Sequence, residues 1–405
     1  MKSSYRSIST LFLTAAVLLA AVILGLPAHP LADESVHFPQ AQMFAHGDWT
    51  IHPFLATWPT MNLLVSGSLR IFGTDSLIAA RATIAFCALI GVIGFYQVAC
   101  HFDPPTAAMR TGQFFLLPIV LPYCGLVYTD IPALAALLWL LYSVVKQRPG
   151  LFCAAGLLAV ALRQSNMVWF VAAVAMYFYE ARDRAGAGKT LASIAVFSAA
   201  VGLLWVIVVW NIGGVALTSV TQASHFMKLR GLPNIEFAIG LGGFLFLPVL
   251  ASSGPRLIAL FKHPRWIIAL TILTAFVGLT FLVKHSDNTD PWVIDYFLHN
   301  WVLYEITHSN LLWAFALCVA GFAIAFAYFP WHREVASLKI PLFAFAAIYL
   351  LPFGLIEQRY YIPLYAFFSL FRRRVSMPLE RVQLALSFCF SVGVLYAIAV
   401  AGKFL

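Results

Sequence analysis

Charge is what this 405-residue chain has least of. Charged residues make up 10% of it and only 16 are Asp or Glu, whereas 62% are hydrophobic. Mean hydropathy is +0.88. So little polar surface excludes a soluble globular chain of this length and leaves a polytopic membrane protein. Paired cysteine signatures are missing as well. The six cysteines, at 87, 100, 124, 153, 318 and 389, lie mostly inside apolar runs with no CxxC, so they read as small core residues. Also absent are a soluble domain, a repeat of solenoid period and a low-complexity linker, which makes residues 1–405 a single membrane domain.

A net charge of +9 invites a nucleic-acid partner, but its placement excludes one. The cations sit in short loops between apolar runs, where orientation signals belong. Lys2 and Arg6 precede the first run and set the N-terminus in the cytoplasm. Arg110, Lys146, Arg148, Arg182, Arg184, Lys189, Arg256, Lys262 and Arg265 follow on the same side. Arg333, Lys339, Arg372, Arg373, Arg374 and Arg381 complete the series. This surface suits anionic membrane lipids.

Hydropathy predicts about thirteen transmembrane helices. They fall at 10–27, 76–99, 111–127, 130–146, 151–164, 166–180, 190–212, 237–251, 266–283, 311–329, 340–356, 360–371 and 384–401. The first run resembles a signal-peptide core, but Ala28-His29-Pro30 is a poor cleavage site, so it is read as a span. Segments 151–164, 166–180 and 360–371 are short for a full crossing and are expected to end at membrane depth, beside a cavity. Alternation puts 28–75, the tip at Tyr128-Thr129-Asp130, 213–236 and 284–310 on the non-cytoplasmic face. Within 28–75, segment 54–72 reads as an interfacial helix starting near Pro59 and stopped by Gly73.

Directly after the first run comes a polar island holding Asp33, Glu34, His37, Gln40, Gln42, His46, Asp48 and His52. A chain this poor in ionisable groups that gathers eight polar side chains beside a span uses them chemically. Asp33 with Glu34 suits a general base for a sugar hydroxyl; the plainer alternative is a solvated loop carboxylate. Histidines 29, 37, 46 and 52 match no zinc-ligand spacing, so no metal ligands are assigned, and a divalent cation stays open.

Three further polar knots interrupt apolar runs. In Leu162-Arg163-Gln164-Ser165-Asn166 the arginine fork suits a phosphate, against the simpler reading of a snorkelling side chain. In Glu357-Gln358-Arg359-Tyr360 the charges either neutralise each other or clamp a lipid phosphate and its first sugar. Asp130 opens a helix as a cap or as a ligand. Asp287, Asp290, Asp295 and three histidines in 284–310 match no motif, and Lys228 and Arg230 either meet a charged acceptor or nothing.

Together these stretches resemble the dolichyl-phosphate-glucose-dependent α-1,2-glucosyltransferases of the endoplasmic reticulum, which add the terminal glucose to the lipid-linked oligosaccharide. Ala32-Asp33-Glu34-Ser35-Val36-His37-Phe38-Pro39-Gln40-Ala41-Gln42 is very similar to that family's first-loop motif. Ile51 to Pro59, Leu126 to Asp130, Leu162 to Trp169 and Leu355 to Pro363 resemble four more, in the same order. The family's aspartate before proline is His52 here, its Gly-Leu-Tyr is Thr60-Met61-Asn62, and its late luminal element is echoed faintly by Leu298-His299-Asn300-Trp301.

The resemblance implies an all-α GT-C bundle and an inverting transfer of a hexose, glucose in the family. The donor would be a polyprenyl-phosphate-linked sugar and the acceptor a glycan or lipid-linked glycan. It implies Asp33 as base, with Glu34 and His37 orienting it or the acceptor. Arg163 or Arg359 would hold the donor phosphate. Gln40, His52, Asp130, Gln164, Asn166, Glu357 and Tyr360 would contact sugar or acceptor. No cofactor is implied. The alternatives are protein O-mannosyl transfer, lipid A modification, or a transporter or flippase for lipid-linked sugars. The basic N-terminus and compact length suit a bacterial inner (plasma) membrane with a periplasmic active site; in a eukaryote the membrane is that of the endoplasmic reticulum.

Overall fold

The computed structural model describes residues 2–182, 187–212, 216–218, 231–283, 296–309, 311–353 and 355–404. Lys228, Arg230, Asp287, Asp290 and Asp295 lie outside them. Among the described residues the chain is all-α, with two isolated β-bridges and no strand. It forms two compact units, residues 1–111 with 121–226 and residues 112–120 with 227–405. Each is described by itself.

The first unit opens with α1 (Lys2–Gly25), α2 (Glu34–Ala45), α3 (Thr60–Phe72) and α4 (Leu77–Phe102). It continues through the first turn of α5 (Ala107–Phe115), whose residues from Gly112 onward belong to the second unit, then α6 (Asp130–Lys146), α7 (Pro149–Leu162), α8 (Met167–Ala181) and α9 (Ala187–Ile212). Helix α6 is apolar on every side and correspondingly buried along nearly its whole length, packed against α4 and α7. Gly94 lets α4 approach α6 closely: a Cβ there would stand 3.2 Å from the Trp139 indole nitrogen. By contrast α9 is mostly exposed, as a lipid-facing helix would be.

The expected interfacial helix begins at Thr60 and ends at Phe72, where Gly73 adopts φ 60° and closes it, a backbone conformation only glycine takes without strain. Within the polar island, residues 34–45 are helical with Pro39 inside. Segment 111–127 was read as one span. The helix stops at Phe115, because Pro118 and Pro122 withhold amide donors, and a tight turn follows at Pro122–Gly125.

The second unit holds α10 (Leu232–Leu245), α11 (Leu247–Ala251), α12 (Gly254–Phe261), α13 (Pro264–Val283) and α14 (Leu298–His308). It ends with α15 (Leu312–Tyr328), α16 (Lys339–Leu350), α17 (Ile362–Phe371) and α18 (Met377–Ala399). Segment 340–356 ends as a helix at Leu350, ahead of Pro352. An apolar cavity of about 200 Å³ lies among α10, α15, α16 and α17, lined by Ala238, Phe326, Ala346, Leu350, Tyr365 and Phe368 among others.

This is an integral membrane protein. Among the described residues four helices are long and apolar enough to cross a bilayer: Leu77–Phe102, Gly188–Asn211, Pro264–Phe281 and Met377–Ala399. Taking α14 and α15 as one broken span makes five, against the thirteen expected. The short segments named above form helices of 14, 15 and 10 residues, α7, α8 and α17.

Candidate active site

The polar island is organised by a charge pair that its own sequence does not reveal. Glu34, the first residue of α2, is fully buried, and so is Arg81 on α4. Arg81 Nε donates to Glu34 Oε1 at 3.0 Å and Nη2 to Oε2 at 2.6 Å. Two further guanidinium N–H groups reach the carbonyls of Pro27 at 2.7 Å and His29 at 3.3 Å. The carboxylate also accepts the amides of Leu31 at 3.0 Å and Val127 at 2.9 Å. An arginine within an apolar helix is costly unless paired and hydrogen-bonded, and here it is ion-paired and makes four hydrogen bonds. Glu34, expected to orient Asp33 or the acceptor, therefore spends both oxygens inside the protein and acts on its neighbour through the backbone.

That neighbour is Asp33. It occupies the N-cap position of α2, yet its side chain makes no capping bond to the helix. Its amide donates to the Tyr128 hydroxyl at 3.0 Å, and it is only part-buried. The turn that presents it is strained: Ala32 has φ 43°, in the left-handed region that L-residues avoid. The bend lets the Leu31 amide face the Glu34 carboxylate, so the buried ion pair holds the turn in that conformation.

Around this turn the island is wired mostly to backbone. His37 is buried, with Asn62 Nδ2 of α3 donating to its carbonyl at 2.9 Å and lying 3.4 Å from its ring Nδ1. Its ring centroid is 6.4 Å from that of Tyr128. Gln40 gives its amide to the Thr50 carbonyl at 2.9 Å and accepts the His52 amide at 2.6 Å, which fixes the following loop. His52 Nδ1 in turn accepts the Phe54 amide at 3.3 Å. Asp48 accepts the hydroxyl and amide of Thr50, and those two donors hold its carboxyl below the usual range. His46 meets Asp75 at 3.0 Å on the exposed side.

A second pair stands in the same unit. Arg163, in the turn between α7 and α8, binds Asp130 at the start of α6 through Nη1 and Oδ1. Its Nε reaches the Ser165 hydroxyl at 3.3 Å. Gln164 is buried and donates to the Ala56 carbonyl at 3.1 Å, tying this turn to the loop before α3. Asn166 is buried and donates to the Ala159 carbonyl at 3.1 Å. The structure thus groups Asp130, Arg163, Gln164 and Asn166 around one turn.

In the second unit, Arg359 Nε stands 2.6 Å from Glu357, and its guanidinium lies 5.6 Å from the Tyr360 ring, which stacks on Phe353 at 4.2 Å. Asn234 of α10 organises this knot. Its Nδ2 donates to the carbonyls of Phe353 and Leu355, and its Oδ1 accepts the Tyr361 hydroxyl at 2.7 Å. Among the described residues no group of three His, Cys, Asp or Glu is disposed to hold a metal.

A family model described as the DIE2/ALG10 family matches residues 27–229, half of the chain and the whole Asp33 constellation. The chain belongs to the DIE2/ALG10 family. A curated relative in Arabidopsis thaliana, Dol-P-Glc:Glc(2)Man(9)GlcNAc(2)-PP-Dol alpha-1,2-glucosyltransferase, is 28% identical over 163 residues. That alignment takes in 35% of this chain and 32% of the relative, so the match spans about a third of the relative's length. Among solved structures, ArnT from Cupriavidus metallidurans aligns with 98% of this chain and 78% of its own in the apo state, at 16% identity and a TM-score of 0.43. Bound to undecaprenyl phosphate it aligns with 97% and 77%, at 17% identity and 0.47. Within the DIE2/ALG10 match, Arg81, Tyr128 and Asn62 are the site-forming residues that the motifs alone did not single out as such. A lone arginine inside the 76–99 apolar run was the available signal.

Proposed function

We propose that this protein is an inverting glycosyltransferase of GT-C type. It moves a hexose, glucose by family likeness, from a polyprenyl-phosphate-linked donor to a glycan or lipid-linked glycan acceptor on the non-cytoplasmic face. The observation that carries the reading is the Asp33 turn: a strained, pre-set carboxylate that does not cap its helix, inside the region matched by the family. Asp33 takes the proton of the attacking acceptor hydroxyl, and the polyprenyl phosphate departs from the opposite face of the anomeric carbon as an anion. A leaving group that departs as an anion needs positive charge more than a proton, which suits an arginine fork.

Arg163, oriented by Asp130, is one candidate for that role, and Arg359, oriented by Glu357, is the other. Gln164 and Asn166 beside Arg163, or Tyr360 beside Arg359, contact the sugar, and His37 orients acceptor or base. The apolar cavity of the second unit suits a stretch of isoprenoid tail. The membrane is the inner (plasma) membrane of a bacterium, with the N-terminus cytoplasmic and the site periplasmic. Mass spectrometry of lipid-linked and surface glycans from cells with and without the protein tests this directly. A hexose missing from the deletion strain is expected and names the acceptor. Unchanged glycans with altered sidedness of a lipid-linked sugar would replace transfer by transport.

A further inference from the structure

Four buried polar atoms around the Gln164 turn have no partner in the protein. They are Thr57 Oγ1, Trp58 Nε1, Asp130 Oδ2 and Asn166 Oδ1. Asp130 and Asn166 are themselves 6% and 1% exposed. Leaving such groups unpaired is costly, so each is expected to meet a ligand or water. Connectivity brings the four residues to one neighbourhood of the fold. The Ala56 carbonyl is 3.1 Å from Gln164 Nε2 and 3.0 Å from the Leu217 amide, so Thr57 and Trp58, next in the chain, are held beside the turn. The Thr218 hydroxyl clamps the same loop through the Pro53 carbonyl at 2.6 Å. Arg163, at the head of that turn, grips the other oxygen of Asp130.

The chemistry of the four atoms narrows the ligand. Asp130 Oδ2 and Asn166 Oδ1 only accept, Trp58 Nε1 only donates, and the Thr57 hydroxyl does both. A phosphate brings acceptors alone and would face two acceptor oxygens. A polyhydroxyl compound satisfies all four, because every sugar hydroxyl gives one proton and takes another. Resting on the transferase reading above, we propose that Thr57 and Trp58, with Asp130 and Asn166, read the hydroxyl groups of the transferred hexose, so that this loop sets sugar specificity. The sequence motifs point to Asp130 and Asn166 but leave Thr57 and Trp58 without a role.

The test uses Thr57→Val, which removes a hydroxyl while keeping shape, and Trp58→Phe, which removes the indole N–H while keeping an aromatic ring. Full-length wild-type and variant proteins in nanodiscs are titrated with undecaprenyl-phosphate-glucose and, separately, with undecaprenyl phosphate. Each variant is expected to bind the glucosyl lipid about tenfold more weakly, the scale of one lost hydrogen bond, and the bare lipid within about twofold of wild type. In turnover assays the donor KM rises and kcat changes little. Equal weakening toward both lipids, or no weakening toward either, overturns the proposal and leaves these atoms to water or to structure. A wild-type protein that does not distinguish the two lipids removes the donor reading itself, and this inference with it.

Discussion

Arg81→Met offers the sharpest energetic test of the turn that presents Asp33. The side chains of Arg81 and Glu34 are 1% and 0% exposed, so the pair is not weakened by solvent screening as a surface pair would be. Methionine removes both bonds to Glu34 and those to the Pro27 and His29 carbonyls. The carboxylate is left buried with only the amides of Leu31 and Val127. Breaking a buried pair in this way costs about 3–5 kcal/mol. Glu34→Gln, which keeps the shape and strands the guanidinium, should cost a similar amount. The double variant leaves no orphaned charge, so it should lose at least about 2 kcal/mol less than the sum of the singles. Chemical denaturation of the purified full-length protein in detergent, read as a double-mutant cycle, measures this coupling. Additive losses within about 0.5 kcal/mol would refute the argument that the two charges form one closed unit.

Two other perturbations follow from the same physics. Ala32→Gly should gain up to about 1 kcal/mol, because glycine relieves the left-handed strain while losing some chain entropy, whereas Ala32→Val should lose about 1–3 kcal/mol. Thermal unfolding of both checks the order Gly, Ala, Val. In the second unit Arg372 donates to both oxygens of Glu380 at 2.7 and 2.6 Å and to Gln113 Oε1 at 2.8 Å, all three residues buried. Arg372→Met should cost about 3–5 kcal/mol in the same denaturation assay, whereas its exposed neighbour Arg373→Met should cost under about 0.5 kcal/mol.

The helical pattern was largely visible in the sequence because apolar runs and their breakers are local. Helix α6 spans Asp130–Lys146, as read from hydropathy, and α3 starts after Pro59 and stops at Gly73 as its signals imply. Pairings were not visible, because charge alone does not name a partner. Arg81 and Glu34 are 47 positions apart, and Gln113 reaches Glu380 across 267. For the same reason Arg110 and Arg372 were read as orientation charges on a membrane surface. The first is buried against Asp103 and the second against Glu380, so neither adds free charge there. Asn234, which ties the Phe353–Tyr361 knot together, sits near the start of an apolar helix with no motif to mark it. Helix α2 has little local signal, since Pro39 and its many polar residues argue for loop, whereas Glu34 in the first turn and its buried ion pair stabilise it.

The central claim is that Asp33 is the base of a sugar transfer, and Asp33→Asn tests it most directly. The substitution keeps size and removes only basicity, so purified variant protein should bind undecaprenyl-phosphate-glucose within about twofold of wild type while transfer falls by roughly 10²–10⁴. Transfer retained at the wild-type rate, with binding intact, would contradict the account.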